Sequence, residues 1–328
     1  SGIYYRPDSH KARFCVDGAK ALLKFCDENE IEYEQCGKVI VAIHESELAR
    51  LDNLYERGVA NGVQGLEMIG PERLREIEPH VSGVKAMWVP STGIVDYKKV
   101  AAAYASRFQE AGGDIFTGAE VHRITKNSDT LAIETNLGVL QAKHLINCAG
   151  LHADRVAEMM GEDIDVRIIP FRGEYYTLRP ESHHLVKGLI YPVPDPRFPF
   201  LGVNYTRNIH GQVEAGPNAV MALKREGSRK SDIDLMDSWG SLSFPGFWKM
   251  SMRYWKIGLG EMHRSYMKSV FVRDLQRLVP EIRAEDLAPG GAGVVGAWGA
   301  AWWDVGTPVP DTSPDATSAG TCPDPSTA

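Results

Sequence analysis

The chain has 328 residues, a formal net charge of -7, and 43% hydrophobic and 24% charged residues. This length suits two domains or one large one, and the composition is that of a folded globular protein. The negative charge argues against a nucleic-acid partner, and no apolar run reaches the roughly 20 residues that a membrane span needs. The five cysteines are scattered without a CxxC pair, which indicates a reducing compartment and no metal cluster.

Up to residue 141 the sequence alternates between helical and strand patterns. Helices are predicted at residues 9–29, 45–58, 70–77 and 98–111, and strands at 38–43, 66–69, 85–90, 121–124, 130–135 and 138–141. Pro71 suits the first turn of the third helix, and Gly112 and Gly113 end the fourth. The alternation predicts an α/β arrangement.

Residues 145–161 are the clearest candidate for ligand binding. The pattern predicts a buried strand that begins near Leu140, a turn of small residues at 147–150, and a helix from about Ala153. Ala149 and Gly150 would let a ligand approach the backbone, and the N-terminus of the following helix favours an anionic group such as phosphate. An ordinary turn of an α/β domain explains the same residues, so both interpretations stay open.

The pattern changes after residue 164. Strands are predicted at 167–178, 188–192, 201–205 and 212–215, and helices at 232–241 and 245–278. Few helices separate these strands, which indicates an antiparallel sheet. From Val295 the sequence loses periodicity and becomes rich in Pro, Thr, Ser and Asp, so we predict a poorly packed, disordered tail that contains Trp298, Trp302 and Trp303.

A nucleotide-binding α/β domain usually opens with a strand, a GxGxxG turn and a helix. We identify no such unit in this chain. From the residues alone, the prediction is an α/β region joined to an antiparallel sheet, with a ligand-binding role.

Six motifs resemble those of the L-2-hydroxyglutarate dehydrogenase family, within the D-amino-acid-oxidase-like flavoprotein superfamily. They are SGIYY at residues 1–5, CGKVIVA at 36–42, TGIVDY at 92–97, NCAGLHAD at 147–154, IPFRGEYY at 169–176 and EAGPNAV at 214–220. They occur in the family's order, and the resemblance covers residues 1–294. The resemblance implies FAD as the cofactor.

The fold implied by the resemblance is of the α/β (α+β) class, in which a Rossmann-like FAD-binding domain is interleaved with an antiparallel-sheet substrate domain. The FAD-binding domain would comprise residues 1–37, 92–164 and 245–294. The substrate domain would comprise 38–91 and 165–244, followed by a disordered tail at 295–328. The family's GxGxxG unit would lie before Ser1, and the sequence leaves the family pattern after Val294. We therefore expect a truncated copy that lacks the first βα unit, has an aberrant C-terminal tail and binds FAD weakly or not at all.

The resemblance also implies site residues. Cofactor contacts are expected at Ser1, Gly2, Val121, Ala149, Gly150, Gly173 and Gly291, and substrate contacts at Tyr4, Tyr5, Arg172 and Glu174. Arg172 could hold a carboxylate through two parallel hydrogen bonds, or it could pair with Glu174 for structural reasons. No catalytic base is assigned, and no metal is expected.

Five further polar residues are less informative. Asn218 is expected in a turn. His122, His152 and His210 are expected to be exposed or packed. The family commonly has a histidine where Asn204 stands, so a proton-transfer step that used this histidine would be impaired here.

The implied reaction is oxidation of L-2-hydroxyglutarate to 2-oxoglutarate, with hydride transfer from C2 to flavin N5 and an undetermined acceptor, oxygen or a quinone. Two other functions stay open: an amine or amino-acid oxidase of the same superfamily, and a non-catalytic fragment that binds no FAD. The partners expected are a small 2-hydroxy dicarboxylate and no nucleic acid. The location expected is cytoplasmic, with peripheral attachment to the inner membrane left open.

Overall fold

The computed structural model describes residues 2–195 and 202–300, and it describes side chains as far as residue 296. The α-helices of this part are α1 (His10–Glu28), α2 (Leu48–Ala60), α3 (Pro71–Ile77), α4 (Tyr97–Glu110), α5 (Ala153–Met159), α6 (Leu235–Leu242), α7 (Pro245–Tyr266) and α8 (Lys268–Gln276). Local sequence starts several of them. The Ser9 hydroxyl accepts a hydrogen bond from the Ala12 N–H at α1, and the Asp96 carboxylate accepts one from the Lys98 N–H at α4.

The strands fall into three sheets. They are β1 (Tyr33–Glu34), β2 (Lys38–Ala42), β3 (Glu67–Ile69), β4 (Lys85–Val89), β5 (Ile94–Val95), β6 (Val121–Lys126), β7 (Leu131–Thr135), β8 (Gly138–Ala142), β9 (Val166–Leu178), β10 (Leu189–Pro192), β11 (Asn204–Arg207), β12 (Val213–Met221) and β13 (Leu287–Ala300). The largest sheet has the order β13-β9-β12-β11-β10-β2-β4-β3. Within it β10 and β2 pair in parallel, and the other neighbours pair antiparallel.

The large sheet is covered on both faces where β2 crosses it. Val39, Ile40, Val41 and Ala42 are each 0% exposed. Because successive side chains of a strand point to opposite faces, this burial requires a layer on each side. One layer is α8 with its neighbouring turns, and the other is α2.

A second region is built around a three-stranded antiparallel sheet, β6-β7-β8. Ile124 and Ile133 are buried in it, whereas Val139 and Leu140 on β8 are exposed. The turn between β7 and β8 is closed by the Thr135 hydroxyl, which donates to the Gly138 carbonyl. By register Ile124, Ile133 and Leu140 lie in one row, and this row is covered on β6 and β7 but exposed on the edge strand β8.

The buried strand predicted at about residues 140–146 is wrong. β8 ends at Ala142, residues 143–149 belong to no paired strand among the described residues, and Leu140 and Ile146 are 44% and 85% exposed. An extended segment becomes a strand only when a neighbouring backbone accepts and donates its hydrogen bonds.

The predicted start of the disordered tail at Val295 is also wrong. β13 continues to Ala300, and its backbone pairs with β9 from Val295, opposite Phe171, to Ala300, opposite Val166. Residues 295–300 have no alternation of apolar and polar side chains, but backbone hydrogen bonds to β9 hold them in a strand. Trp302 and Trp303 lie outside the described residues, as do Ser1 and Leu201.

The antiparallel sheet predicted after residue 164 is confirmed. β9, β10, β11 and β12 account for most of residues 166–221. The long helical region predicted at 245–278 divides at Met267, whose extended conformation separates α7 from α8. Among the described residues no helix is long and apolar enough to cross a membrane.

Candidate functional site

One face of the large sheet carries a buried ammonium group among aromatic rings. Lys38, the first residue of β2, is 5% exposed. Its Nζ lies 4.7 Å from the ring centre of Tyr4 and 5.0 Å from that of Tyr191, and it donates to the Tyr4 hydroxyl at 3.4 Å. Aromatic faces attract a cation that has lost water. The N-terminal loop therefore packs over β2 through a charged contact.

Burial changes the proton affinity of Lys38. It lowers the pKa of the Lys38 ammonium to about 8, because a charged group is disfavoured away from water. Burial also raises the pKa of the Tyr4 and Tyr175 hydroxyls, and the nearby Tyr191 adds to both effects. The tyrosines are therefore neutral donors at neutral pH, beside a cation that can lose its proton close to that range.

Polar side chains continue across the same face from β10 to β11. The Tyr191 and Thr206 hydroxyls lie 3.5 Å apart, and the Thr206 hydroxyl donates to the Asn204 side-chain carbonyl at 3.2 Å. The Asn204 amide donates to the Gly202 carbonyl. Asn204, where the family commonly has a histidine, is therefore a buried part of this polar row. We call Lys38, Tyr4, Tyr175, Tyr191 and Thr206 the lysine–tyrosine face.

Arg172 on β9 is held by Glu174. The guanidinium donates to Glu174 Oε1 from Nη2 at 2.8 Å and from Nε at 3.2 Å, and from Nη1 to the Arg229 carbonyl. The other Glu174 oxygen accepts from the Ser265 hydroxyl at 2.7 Å. The structural pairing left open above is thus present, and the substrate contact of these two residues stays a prediction.

Asn218 is not in an exposed turn. It lies in β12, opposite Glu174 on β9, and is 1% exposed. Its amide nitrogen donates to the Glu261 carbonyl at 3.1 Å, while its side-chain oxygen is buried without a partner among the described atoms. The expectation failed because pairing with β9 continues past the bulge that separates Ala215 from Asn218.

The turn at residues 147–150 is an exposed, preformed loop. The Asn147 side chain closes it, accepting from the Ala149 N–H at 3.2 Å and donating to the Ala153 carbonyl at 2.8 Å. Gly150 has φ +54°, and no atom lies within 4 Å of the position that a Cβ would take. The predicted close approach of a ligand to this backbone is sterically open.

A buried ion pair fixes the helix that follows this turn to the large sheet. Both carboxylate oxygens of Asp154 on α5 accept from the Arg225 guanidinium, and Asp154 Oδ2 also accepts from the Ile168 N–H of β9. Burial alone would raise the pKa of the Asp154 carboxyl, but the hydrogen bond and charge of Arg225 and the N–H groups of Ile168 and Arg155 together outweigh it, so the pKa is lowered. Asp154 and Arg225 are therefore a charged structural pair.

The remaining predicted cofactor residues are spread over several elements. Gly2 has φ +75°, and its carbonyl accepts from the Asn61 amide, as does the carbonyl of Tyr5. Val121 begins β6 opposite Thr135. Gly173 in β9 pairs with Ala219 and Gly293, while Gly291 lies in a β13 irregularity between Pro289 and Ala292. Their common contact with one cofactor stays a prediction.

The letters GxGxxG do occur once, at Gly291, Gly293 and Gly296. They lie inside β13, which continues as a strand to Ala300. A phosphate-binding turn needs a helix directly after the glycines. This occurrence is therefore sheet, not a phosphate cradle.

The histidines at positions 122, 152 and 210 lie on the surface, two of them beside a carboxylate. His122 is exposed on β6. His152 Nε2 lies 3.1 Å from Glu226, and His210 Nε2 lies 3.4 Å from Asp96. Among the described residues no group of three or more His, Cys, Asp or Glu side chains is arranged to hold a metal.

Two cavities are lined by residues other than those of the lysine–tyrosine face. One of about 400 Å³ is lined by the Asp154–Arg225 pair, Arg167 and residues of α6, including Trp239. The other, of about 370 Å³, lies between the sheet and helices α7 and α8. In the second cavity Glu261 and Arg264 form an ion pair, so its charges are largely satisfied within the protein.

Comparison with known proteins decides the family. The model of the family described as FAD dependent oxidoreductase matches residues 1–302. The chain belongs to this family. FAD is thus its cofactor class, as the resemblance implied.

Curated relatives of this family are similar over most of the chain. L-2-hydroxyglutarate dehydrogenase from Indibacter alkaliphilus is 49% identical, covering 90% of this chain and 74% of the relative. The enzyme of the same name from Escherichia coli is 45% identical, covering 90% and 70%, and the human mitochondrial one is 44% identical, covering 90% and 66%. The chain thus spans about two thirds to three quarters of the length of these relatives.

Solved structures confirm the predicted fold class. L-α-glycerophosphate oxidase from Mycoplasma pneumoniae, solved with FAD bound, has a TM-score of 0.71 at 21% identity, covering 90% of this chain and 70% of that one. L-proline dehydrogenase from P. horikoshii has a TM-score of 0.66 at 16% identity, covering 88% and 67%. Identities this low establish the fold alone.

The residues present partly fit a bound FAD. Gly150, Gly291 and Gly293 each leave open space where a side chain would project, so a flat or anionic group can meet their backbone. Among the described residues, however, no strand–glycine turn–helix unit cradles a pyrophosphate. The fit to FAD therefore consists of open backbone positions at these three glycines, without a phosphate turn among the described residues.

Sequence reasoning missed the residues at the centre of the lysine–tyrosine face. Lys38 stands within the quoted CGKVIVA motif, but a lysine at the start of an apolar strand gives no sign by itself of facing a site. The pattern of one charged residue followed by four apolar ones does indicate a buried lysine, and a buried charge needs a group nearby that stabilises it. Tyr175 and Tyr191 gave no such signal.

Proposed function

We propose that this protein catalyses FAD-dependent oxidation of L-2-hydroxyglutarate to 2-oxoglutarate. The observation that carries the proposal is the lysine–tyrosine face, where a buried ammonium lies beside neutral phenol hydroxyls. A carboxylate suits such a set, because it can neutralise the cation and accept hydrogen bonds from the phenol hydroxyls. The similarity to enzymes named L-2-hydroxyglutarate dehydrogenase supports this choice of dicarboxylate.

Lys38 has the central role in the proposed substrate site. In its protonated form the Nζ would hold one substrate carboxylate, with Tyr4 and Tyr191 as donors beside it. Arg172 and Glu174 stay a proposed second polar contact, with Arg172 available to a carboxylate only if it leaves its Glu174 pairing. Bound FAD would supply the hydride acceptor for C2, and the chain would position C2 and exclude water.

The cofactor contacts proposed for this chain are the backbone at Gly2, Val121, Ala149–Gly150, Gly173 and Gly291, together with Ser1. The division into an FAD-binding part (1–37, 92–164, 245–294) and a substrate part (38–91, 165–244) is likewise proposed. The acceptor that reoxidises the flavin is proposed to be oxygen or a quinone. The location is proposed to be the cytoplasm, with peripheral attachment to the inner membrane.

The test is oxidation of L-2-hydroxyglutarate by the purified chain supplied with excess FAD, in air and with a soluble quinone. Glycine, sarcosine and D-amino acids are the competing substrates, since an amine or amino-acid oxidase would prefer them. Lys38→Gln is expected to raise KM for L-2-hydroxyglutarate more than it lowers kcat, because it removes a charge that binds substrate before and during reaction. Activity only on amines, or an unchanged KM in Lys38→Gln, would contradict the proposal.

FAD binding is measured separately, by titration that follows flavin fluorescence. Saturable binding would support FAD as the hydride acceptor of the proposed reaction. Absence of binding together with absence of activity would favour a non-catalytic fragment.

A further inference from the structure

Helix α7 has a second apolar face that the rest of the described chain leaves more than half exposed. Six of its residues follow one another at intervals of four, three, four, three and four positions: Trp248, Met252, Trp255, Leu259, Met262 and Tyr266. Each is between 52% and 72% exposed. Side chains at this spacing form one row along a helix. We call this row the α7 stripe.

The α7 stripe is distinct from the face by which the helix packs on the protein. Phe247 and Met250 are buried and form a cluster with Ile169 of β9 and Phe244. Core packing is therefore satisfied by other positions. A helix that is apolar on two faces usually meets a second apolar environment.

One flank of the stripe is basic. Lys249, Lys256 and His263 each follow a stripe residue, so they recur every seven residues along the same edge. Lys256 Nζ lies 5.6 Å from the ring centre of Trp255. The opposite edge carries the small uncharged residues Ser251, Gly258 and Ser265. None of these six flanking positions carries an acidic side chain.

This charge pattern disfavours a second copy of the chain as the occupant. Paired helices with such a row use opposite charges on their flanks to choose each other. Antiparallel self-pairing would bring the Lys249 and Lys256 edges of two copies together, and parallel pairing would set them against Ser251 and Gly258. Neither arrangement supplies a counter-charge.

An anionic lipid surface suits the same features. Trp and Tyr side chains favour the boundary between headgroups and acyl chains. A helix that lies in this boundary buries its apolar row while lysines at its edge meet anionic headgroups. We propose that the α7 stripe docks the protein on an anionic membrane surface, with α7 parallel to the bilayer. Leu235, Met236 and Trp239 on the adjacent α6 are also exposed and extend the apolar area.

The proposal specifies the surface for the peripheral location proposed above. It is independent of the oxidation chemistry, because docking is measured without FAD or substrate. If vesicle docking fails, the proposed oxidation still stands, and if the oxidation fails, vesicle docking is still testable.

The experiment is co-flotation of the full chain with phosphatidylcholine vesicles that contain or lack phosphatidylglycerol. We expect binding at least about tenfold stronger with the anionic lipid, and a fall in binding as salt screens the lysines. The double variant Trp255→Asp/Leu259→Asp should lower binding at least about tenfold, because it places charge within the apolar row. Lys249→Gln/Lys256→Gln should reduce binding to anionic vesicles specifically.

The matched control is Val59→Asp on α2, which adds a charge at an apolar residue that is 54% exposed elsewhere. It should bind vesicles like the unmodified chain, and circular dichroism should show that each variant is folded. Absence of vesicle binding, equal binding to neutral vesicles, or equal loss in Val59→Asp would overturn the proposal. So would a dimer, seen by sedimentation, that the stripe variant abolishes while vesicle binding is absent.

Discussion

Two of the three described sheets, the eight-stranded and the three-stranded one, contain similar apolar strand sequences that are buried to different extents. In the eight-stranded sheet, Ile40 and its neighbours on β2 are fully buried between α2 and the α8 layer. Around the three-stranded sheet, Val139 and Leu140 of β8 are exposed, and the apolar segment that follows reaches 85% exposure at Ile146. An apolar strand sequence is therefore not sufficient for burial, because a neighbouring layer of the fold must also cover the strand.

The largest expected effect is at the Asp154–Arg225 pair, which holds α5 to the eight-stranded sheet. Asp154→Ala should lower the free energy of unfolding by about 3–5 kcal/mol, because the buried Arg225 loses both oxygens of its main partner and keeps the Leu151 carbonyl and the Asp237 carboxylate at 4.0 Å. Urea unfolding at pH 7 measures this. Arg73→Ala, which breaks the exposed pair with Glu76 on α3, is the control and should leave stability unchanged. Similar small losses in both variants would show that α5 is not anchored through this pair.

Truncation of a core residue in the large sheet should have the next largest effect. Ile40→Ala should cost about 2–5 kcal/mol of unfolding free energy, since it removes buried methyl groups and leaves a cavity between β2 and α2. The same urea measurement applies, and Ile40→Val, expected to cost about 0.5–1.5 kcal/mol, tests whether loss scales with volume. A loss below that of Ile40→Val would mean that α2 moves in to fill the space.

Lys38 should make stability depend on pH within the large sheet. Its pKa falls from an ordinary 10.5 to about 8 on folding, so between these values the unfolded chain binds more protons than the folded one. Stability should therefore rise as pH increases from 8 to 10.5, by an amount on the order of 3 kcal/mol. Urea unfolding across this range measures the rise, with Lys38→Met as the matched variant. If the slope persists in Lys38→Met, another group is responsible.

The smallest expected effect is at Ile146, the counterpart of Ile40 in the exposed region. Ile146→Ala should change the unfolding free energy by less than about 0.5 kcal/mol, because surface substitutions remove little buried area. The measurement is the same urea titration, run beside Ile40→Ala. A loss as large as that of Ile40→Ala would mean that Ile146 is covered in solution and that the contrast between the regions is smaller than described.

Local sequence determined the elements whose signals are local. Ser9 and Asp96 begin their helices by accepting hydrogen bonds from the following turn, and the alternation up to residue 141 follows from apolar spacing. The antiparallel character of residues 166–221 and the family motifs were also readable in the sequence. These features depend on residues a few positions apart, which a single chain displays directly.

Only the tertiary structure decided features that depend on distant partners. Residues 145–146 have strand-like sequence but no paired neighbour among the described residues, whereas residues 295–300 become strand because β9 supplies hydrogen bonds. Lys38 meets Tyr191 through the parallel pairing of β2 with β10, more than 150 positions apart. Glu174, which holds Arg172, accepts a hydrogen bond from Ser265, 91 positions along the chain. Hydrogen bonding and desolvation are set by what lies across the fold, so the candidate site emerged from the arrangement of strands and not from any one motif.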